Sequence, residues 1–226
     1  MQIRIRATGQ VLLEHEWIKW VATTYAKSIS AMTADIYDRF DSDAVFEGPQ
    51  ATGGDVYQYS QRDGVEQQSD GKWYTKYILG PVFTDGETTA AEQEAAYKAQ
   101  IDATTRAALI LQIDDESDAL IRAVIGERGH EYELAEKEAL AFKASGYTGL
   151  VPSSVQSWAT AKGWTATQSA DSIIAASVGW RSAQAALRAS RLLCKEQAKN
   201  AANAIDMGVI RSGWSKSLAA IKESLN

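Results

Sequence analysis

Residues 72–101 read KWYTKYILGPVFTDGETTAAEQEAAYKAQI, and within them the chain changes its hydrophobic period. From Lys72 to Leu79 the side chains alternate. Trp73, Thr75, Tyr77 and Leu79 share one face of an extended strand, and Tyr74, Lys76 and Ile78 share the other. Gly80-Pro81 stops the pattern, because Pro81 has no amide hydrogen to give to a central ladder. Past the polar stretch Thr84-Asp85-Gly86 the spacing becomes helical. Ala91 to about Ile113 carries Tyr97, Ile101, Ala108 and Ile113 on a stripe, and Glu92 and Glu94 lie where a helix dipole favours carboxylates. This switch predicts an α+β chain: a small mixed α/β domain over residues 1–85, then an all-helical bundle over residues 86–226.

Working back from the switch, Val56 to Gln61 supplies the first arm of a hairpin with Lys72–Leu79, joined through Gly64 and Asp70-Gly71. Gln2 to Ala7 alternates Ile3 and Ile5 against Arg4 and Arg6 and reads as a strand. Val11 to about Lys27 has helical spacing, with Leu13, Trp17, Trp20 or Val21, and Thr24 on one stripe. Thr33 is placed to cap a short helix over 34–40. Ala44 to Phe46 is a short strand, ended by Gly48-Pro49.

Working forward, Asp114 or Asp115 is placed to cap a second helix, to about Glu127, that buries Leu120, Ile121, Val124 and Ile125. Glu131 to Ala144 offers Tyr132, Ala135, Ala139 and Phe142 at the spacing of a packed seam. Ser153, after Pro152, is placed to cap a short helix containing Val155 and Trp158. Thr165 or Thr167 caps a long final segment, about Ser169 to Leu225, with a break at Met207-Gly208. From Ile173, steps of three and four reach Ala176, Trp180, Ala183, Leu187, Ser190, Cys194, Gln197, Ala201, Ala204 and Gly208. Most of these are small, so backbones can approach closely while few large side chains lock the register. The narrow apolar face predicts a homo-oligomer, and Trp180 and Leu187 are candidate partner-binding residues.

The 226 residues are 45% hydrophobic and 23% charged, the balance of a globular chain. Cys194 is the single cysteine, which excludes an internal disulfide. No apolar run approaches the roughly 18 residues that span a bilayer, and Met1 to Arg6 lacks the apolar core of a signal peptide. A soluble protein with no membrane partner is expected. Residues 1–84 carry 8 basic and 11 acidic side chains, 85–138 carry 5 and 14, and 139–226 carry 10 and 4. Solvated helix faces account for such a pattern. Arg181, Arg188, Arg191, Lys195 and Lys199 form one stripe, but alanine and leucine lie between them rather than base readers, so no nucleic acid is expected. The order of elements over 1–83 could suit a winged helix. Its reader, residues 34–40, would carry Asp35 and Asp38 against Arg39 alone, a poor match to phosphates.

Templates for chemistry fail one by one. Gly53-Gly54 is followed by no phosphate-loop lysine, and no Gly-x-Gly-x-x-Gly occurs. His15-Glu16 and His130-Glu131 lack the second histidine of a zinc helix, since Lys19 and Leu134 stand there. Asp114, Asp115, Glu116 and Asp118 are the densest acidic cluster, but Ala119 occupies the place of a calcium loop's glycine. No Gly-x-Ser-x-Gly elbow is present, and Cys194 on the apolar seam reads as a structural thiol. The expectation is a non-enzyme without metal or cofactor. Recognition points to the aromatic hairpin: Tyr57, Tyr59, Trp73, Tyr74 and Tyr77. Two uses stay open, a core over the helix at 11–27 or an exposed patch for protein docking or glycan stacking.

The stretches VFEGPQATGG (45–54), VYQY (56–59) and KWYTKYILGPVF (72–83) resemble a small N-terminal module in proteins of tailed bacteriophages. There it precedes an Ala/Glu/Lys-rich helical segment similar to Glu92–Gln100. Residues 138–149, with Val155–Ala159 and Trp180, resemble the helical C-terminal regions of phage tail and tail-fibre assembly proteins. The resemblance implies a structural protein of the virion tail, made in the host cytoplasm. Its partners would be other tail or fibre proteins and further copies of itself. A tail-fibre assembly chaperone that leaves the finished particle fits the same resemblance. No catalytic residues come with either.

Overall fold

The computed structural model describes residues 1–30 and 32–225. The α+β class holds, as a curled five-stranded sheet at the N-terminus followed by helices. The chain forms two compact units, Met1–Ala95 and Ala96–Asn226. The division falls inside a helix and not in the linker, because that helix's first turn is tied to what precedes it. The Ala90 amide donates to Asp85 Oδ1 at 2.8 Å, and the Gln93 side-chain amide donates to the Thr84 carbonyl at 2.8 Å.

The N-terminal unit runs β1 (Gln2–Ile5), β2 (Val11–Leu13), α1 (Glu14–Tyr25), α2 (Ala34–Arg39), β3 (Ser42–Phe46), β4 (Tyr59–Gln67) and β5 (Trp73–Gly80). The sheet order is β2-β1-β3-β5-β4, with β3 and β5 parallel and the other neighbours antiparallel. The single helix expected over Val11–Lys27 is instead a strand followed by a helix. Gly9, at φ +72°, turns the chain back, and Val11–Leu13 pairs with β1 before any helix begins. At that junction the Leu13 amide donates to Glu16 Oε2 at 2.8 Å, a carboxylate reaching back from the first turn. The hairpin's first arm also starts later than expected. Tyr57 lies in a turn closed by Asp55 Oδ1, which accepts the Tyr57 amide, and β4 begins at Tyr59. Its ladder is interrupted between Arg62 and Val65, where Gly64 takes φ +79°.

Ile3 and Ile5 of β1 pack with Trp17, Val21 and Phe40 to form this unit's core. The indole of Trp17 donates to Ser42 Oγ at 2.9 Å, and Ser42 passes its own hydrogen to the Phe40 carbonyl at 2.9 Å. Both polar groups are fully buried and both are satisfied, as burial requires.

The second unit is helical: α3 (Ala90–Val124, entered at Ala96), α4 (Gly129–Ala144), α5 (Ser153–Lys162), α6 (Ala166–Asn200) and α7 (Ala204–Glu223). Where two helices were expected across 91–127, α3 is continuous for 35 residues. No glycine or proline interrupts residues 90–125, and Leu109, Ile113, Ser117 and Leu120 continue one buried stripe through the supposed cap. The acidic residues there cross the bundle instead: Asp114 pairs with Lys195, and Glu116 accepts the indole hydrogen of Trp214 at 2.7 Å. Position 152, not Ser153, is the N-cap of α5. Thr165 caps α6 and shares a reciprocal pair of bonds with Gln168. The break between α6 and α7 comes at residues 201–203, where Asn203 accepts the Asp206 amide, and Met207 is fully buried.

The seam is filled from within the chain. Ala183, Leu187 and Cys194 of α6, followed by Ala198 rather than Gln197, pack on Leu109, Ile113, Met207 and Trp214. Ala139 and Phe142 of α4 pack separately with Val155 and Ala170, while Tyr132 is exposed and Glu136 takes a buried place. The opposed charges of the middle and last thirds meet within this unit, Lys195 with Asp114 and Arg181 with Glu136, and Lys143 pairs with Asp171 inside the last third.

Candidate functional site

Helices α1 and α2 cover one face of the sheet, the face that carries Ile3 and Ile5. Paired residues share a face, so the register places Arg4, Asp43, Val45, Trp73, Thr75 and Tyr77 on the other side. β2 and β4 add Leu13, opposite Gln2, and Arg62, opposite Tyr77. The hairpin aromatics therefore do not form a core over α1; that role belongs to Ile3, Ile5 and Phe40.

On the open face the polar groups are held in place. The Arg4 guanidinium lies 3.9 Å from the centroid of the Trp73 ring and 3.5 Å from Asp43. A cation over an indole contributes about 0.5–2 kcal/mol, depending on exposure. The Tyr77 hydroxyl donates to Glu47 Oε1. Beside the Tyr77–Glu47 pair is a hollow of about 430 Å³, lined in part by Leu13, Val45, Glu47, Arg62, Thr75 and Tyr77. Its floor is fixed through Thr75, whose Oγ1 accepts the Gly48 amide at 2.8 Å. The segment after β3 also lies close: a Cβ at Gly48 would stand 2.0 Å from the Thr75 carbonyl oxygen. Gly48→Ala is thus expected to push that segment off β5 and cost about 3 kcal/mol. A melt of the variant should show the N-terminal unit's midpoint lowered by roughly 4–8 °C per kcal/mol.

The opposite side of β5 is organised differently. Phe46 and Tyr74 rings stack tilted at 5.7 Å, and Lys72 approaches Phe46. Asp70 accepts both the Lys72 amide and the Tyr74 hydroxyl, and these bonds hold its carboxyl below the usual range. The same bond from Tyr74 raises that phenol. Lys76 donates to Asp63 at 2.6 Å, which raises its ammonium.

The seven residues singled out in the sequence therefore do not converge. Tyr57 is only 7% exposed, while Tyr59 is 53% exposed at the start of the edge strand. Trp73 and Tyr77 reach the open face, and Tyr74 points away from it. In the helical unit Trp180 is half-buried, and Leu187 is buried among residues of its own chain. Leu187 thus serves the internal core rather than a free contact surface. Arg4, Glu47, Arg62 and Leu13 were not anticipated. The alternation of β1 already turned Arg4 outward, but only the β1–β3–β5 pairing brings it to Trp73.

Among the described residues, no group of three or more His, Cys, Asp or Glu side chains is placed to hold a metal ion, and no helix is long and apolar enough to cross a membrane. Burial pushes the Cys194 thiol up, so it stays protonated at neutral pH and acts as packing. Around this shallow concavity stand apolar ground from Leu13 and Val45, the Glu47 carboxylate and the Arg62 guanidinium, which suits a protein segment laid across the strands. Comparison with family models, with curated proteins and with solved structures gives no match.

Proposed function

We propose that this chain is a structural protein of a phage tail, which docks to another tail or fibre protein through the open face of its N-terminal sheet and self-associates through its helical unit. The observation that carries the docking half is the hollow beside the Tyr77–Glu47 pair. Tyr77, Glu47 and Thr75 in its lining are held by hydrogen bonds before any partner arrives, so little of their rotamer entropy is lost on binding. The phage setting is supported by the sequence resemblance of residues 45–83 and 138–159. On this reading the protein acts by contact alone, in the virion, without cofactor, nucleic acid or membrane.

The test is the protein inventory of purified virions, together with capture of tail proteins by the immobilised chain. A stoichiometric band in the particle is expected. Capture should fall about tenfold or more in an Arg62→Glu/Tyr77→Ala variant, a loss of roughly 1.4 kcal/mol or more. Binding to fibre proteins combined with absence from the particle would instead assign the chain as an assembly chaperone. Capture indifferent to both substitutions would remove the sheet face from the proposal.

A further inference from the structure

The basic stripe of α6, Arg181, Arg188, Arg191, Lys195 and Lys199 in the sequence, is divided by the fold. Arg181 is held by Glu136, Lys195 by Asp114 and Lys199 by Glu196. Among the described residues, Arg188 and Arg191 take part in no ion pair, ring contact or side-chain hydrogen bond. Both line a hollow of about 270 Å³, together with Gln184 and Leu187 of α6 and Ile121 of α3. Leu187 is buried and Ile121 packs on the same core, so this side of the hollow is apolar and fixed. Among the described residues that line it none is acidic, and the Gln184 side chain has no partner either.

Two like charges one turn apart on a helix repel each other. Arg188 and Arg191 have that spacing and the chain gives neither an anion, so an external anion lowers the energy of the pair. The rest of the stripe limits which anion. A nucleic-acid backbone carries its charges along a track and needs cations at intervals to match. Here the cations before and after the free pair already hold carboxylates, so a long polyanion would meet Glu136 on one side and Asp114 on the other. What remains is a point site of two guanidinium groups, one amide and an apolar wall. A carboxylate would bring one charge and two oxygens. A phosphate monoester brings about −1.5 to −2 charges and three strong acceptor oxygens, the better match to two guanidinium forks. The hollow is slightly smaller than the roughly 300–1,000 Å³ of ordinary ligand pockets, which suits one phosphate and a small body bearing it.

We propose that this hollow binds the phosphate group of a small phosphate monoester, with Arg188, Arg191 and the Gln184 amide on its oxygens and the ester's apolar body against Leu187 and Ile121. Arginine at both positions fits this role, because a planar fork gives paired bonds to phosphate oxygens where lysine gives only a point charge. The site goes beyond the proposed function and does not rest on it, since the same chemistry would bind the same group in any setting.

The experiment is isothermal titration calorimetry of the full chain at low ionic strength, with phenyl phosphate, inorganic phosphate and a short DNA duplex as separate titrants. Phenyl phosphate is expected to bind once per chain with a Kd below about 1 mM. Arg188→Gln and Arg191→Gln should each weaken it about tenfold or more, the effect of losing a charge-assisted bond. Arg188→Lys and Arg191→Lys should recover part of that loss, because they keep the charge without the fork. Lys199→Gln, outside the hollow, should change nothing. Lowering the pH from about 7.5 to about 5 should weaken binding roughly tenfold, since the second phosphate proton returns near pH 6 while arginine stays charged. The pH series on the wild type and the lysine variants read the site even if a glutamine variant melts early by circular dichroism. Inorganic phosphate binding as tightly as phenyl phosphate would identify the free ion as the ligand and uphold the arginine site; weaker binding would uphold the apolar wall as well. No saturable binding up to about 10 mM, affinity indifferent to both arginines or to pH, or tighter binding of the duplex through the same arginines would each overturn the proposal.

Discussion

Trp17→Ala is expected to cost the N-terminal unit about 3–5 kcal/mol, the range for removing a fully buried aromatic side chain. The unit has little with which to absorb that loss. Its core is five buried residues, Ile3, Ile5, Trp17, Val21 and Phe40, on one side of a curled sheet. Trp17 is fully buried and stacks with Tyr37 and Phe40 at 5.7 and 6.0 Å between centroids. It also closes the chain of bonds to Ser42 and the Phe40 carbonyl, which fixes the start of β3. At roughly 0.05–0.15 kcal/mol per residue, the loss is a large fraction of what a unit of this size possesses. Hydrogen exchange at the amides of β1 reads it directly, because those amides are protected only while the sheet is closed. Trp17→Phe keeps a ring in place and loses the indole hydrogen bond, so it should cost about 1–2 kcal/mol. An alanine variant that lost less than about 1 kcal/mol would show that the core is held elsewhere.

The same residues show how far the sequence could be read. Ile3, Ile5, Trp17 and Val21 were legible as buried because their spacing is local: two residues in a strand, four in a helix. The α+β division was legible for the same reason, since Pro81 and the change of period lie in one short stretch. Pairing was not. Val11–Leu13 has a spacing equally compatible with a helix, and only its ladder with β1, closed through the turn at Gly9, makes it a strand. The open face was illegible for a related reason. Arg4 and Trp73 are far apart in sequence, and the parallel pairing of β3 with β5 that aligns them leaves no local trace. The three-and-four stepping from Ile173 identified Ala183, Leu187 and Cys194 correctly as a seam. It could not say whose helices fill that seam, and they proved to be α3 and α7 of the same chain.

The acidic cluster of α3 is the most instructive misreading, and it leads to the other large expected effect. Glu116 lies beside Asp114 and Asp115, where a helix start seemed due, yet it faces inward and accepts the Trp214 indole hydrogen at 2.7 Å and a Gln112 amide hydrogen at 2.8 Å. Trp214 is fully buried in a core where α6 contributes Ala183, Cys194 and Ala198 beside Leu187. Small residues let the helices come close but bury little area each, so much of the apolar contact falls on the few large side chains. Trp214→Ala should therefore cost the helical unit about 3–5 kcal/mol from the cavity. It also removes a donor from a half-buried carboxylate, worth roughly 1.5–3 kcal/mol. Denaturant titration followed by far-UV circular dichroism measures the sum. A cycle of Trp214→Phe with Glu116→Ala separates the bond from the packing, because residues joined in this way should couple by about 0.5–3 kcal/mol. Additive single losses would mean that the pair contributes only its packing, and that α3 is held in register by its leucine and isoleucine stripe alone.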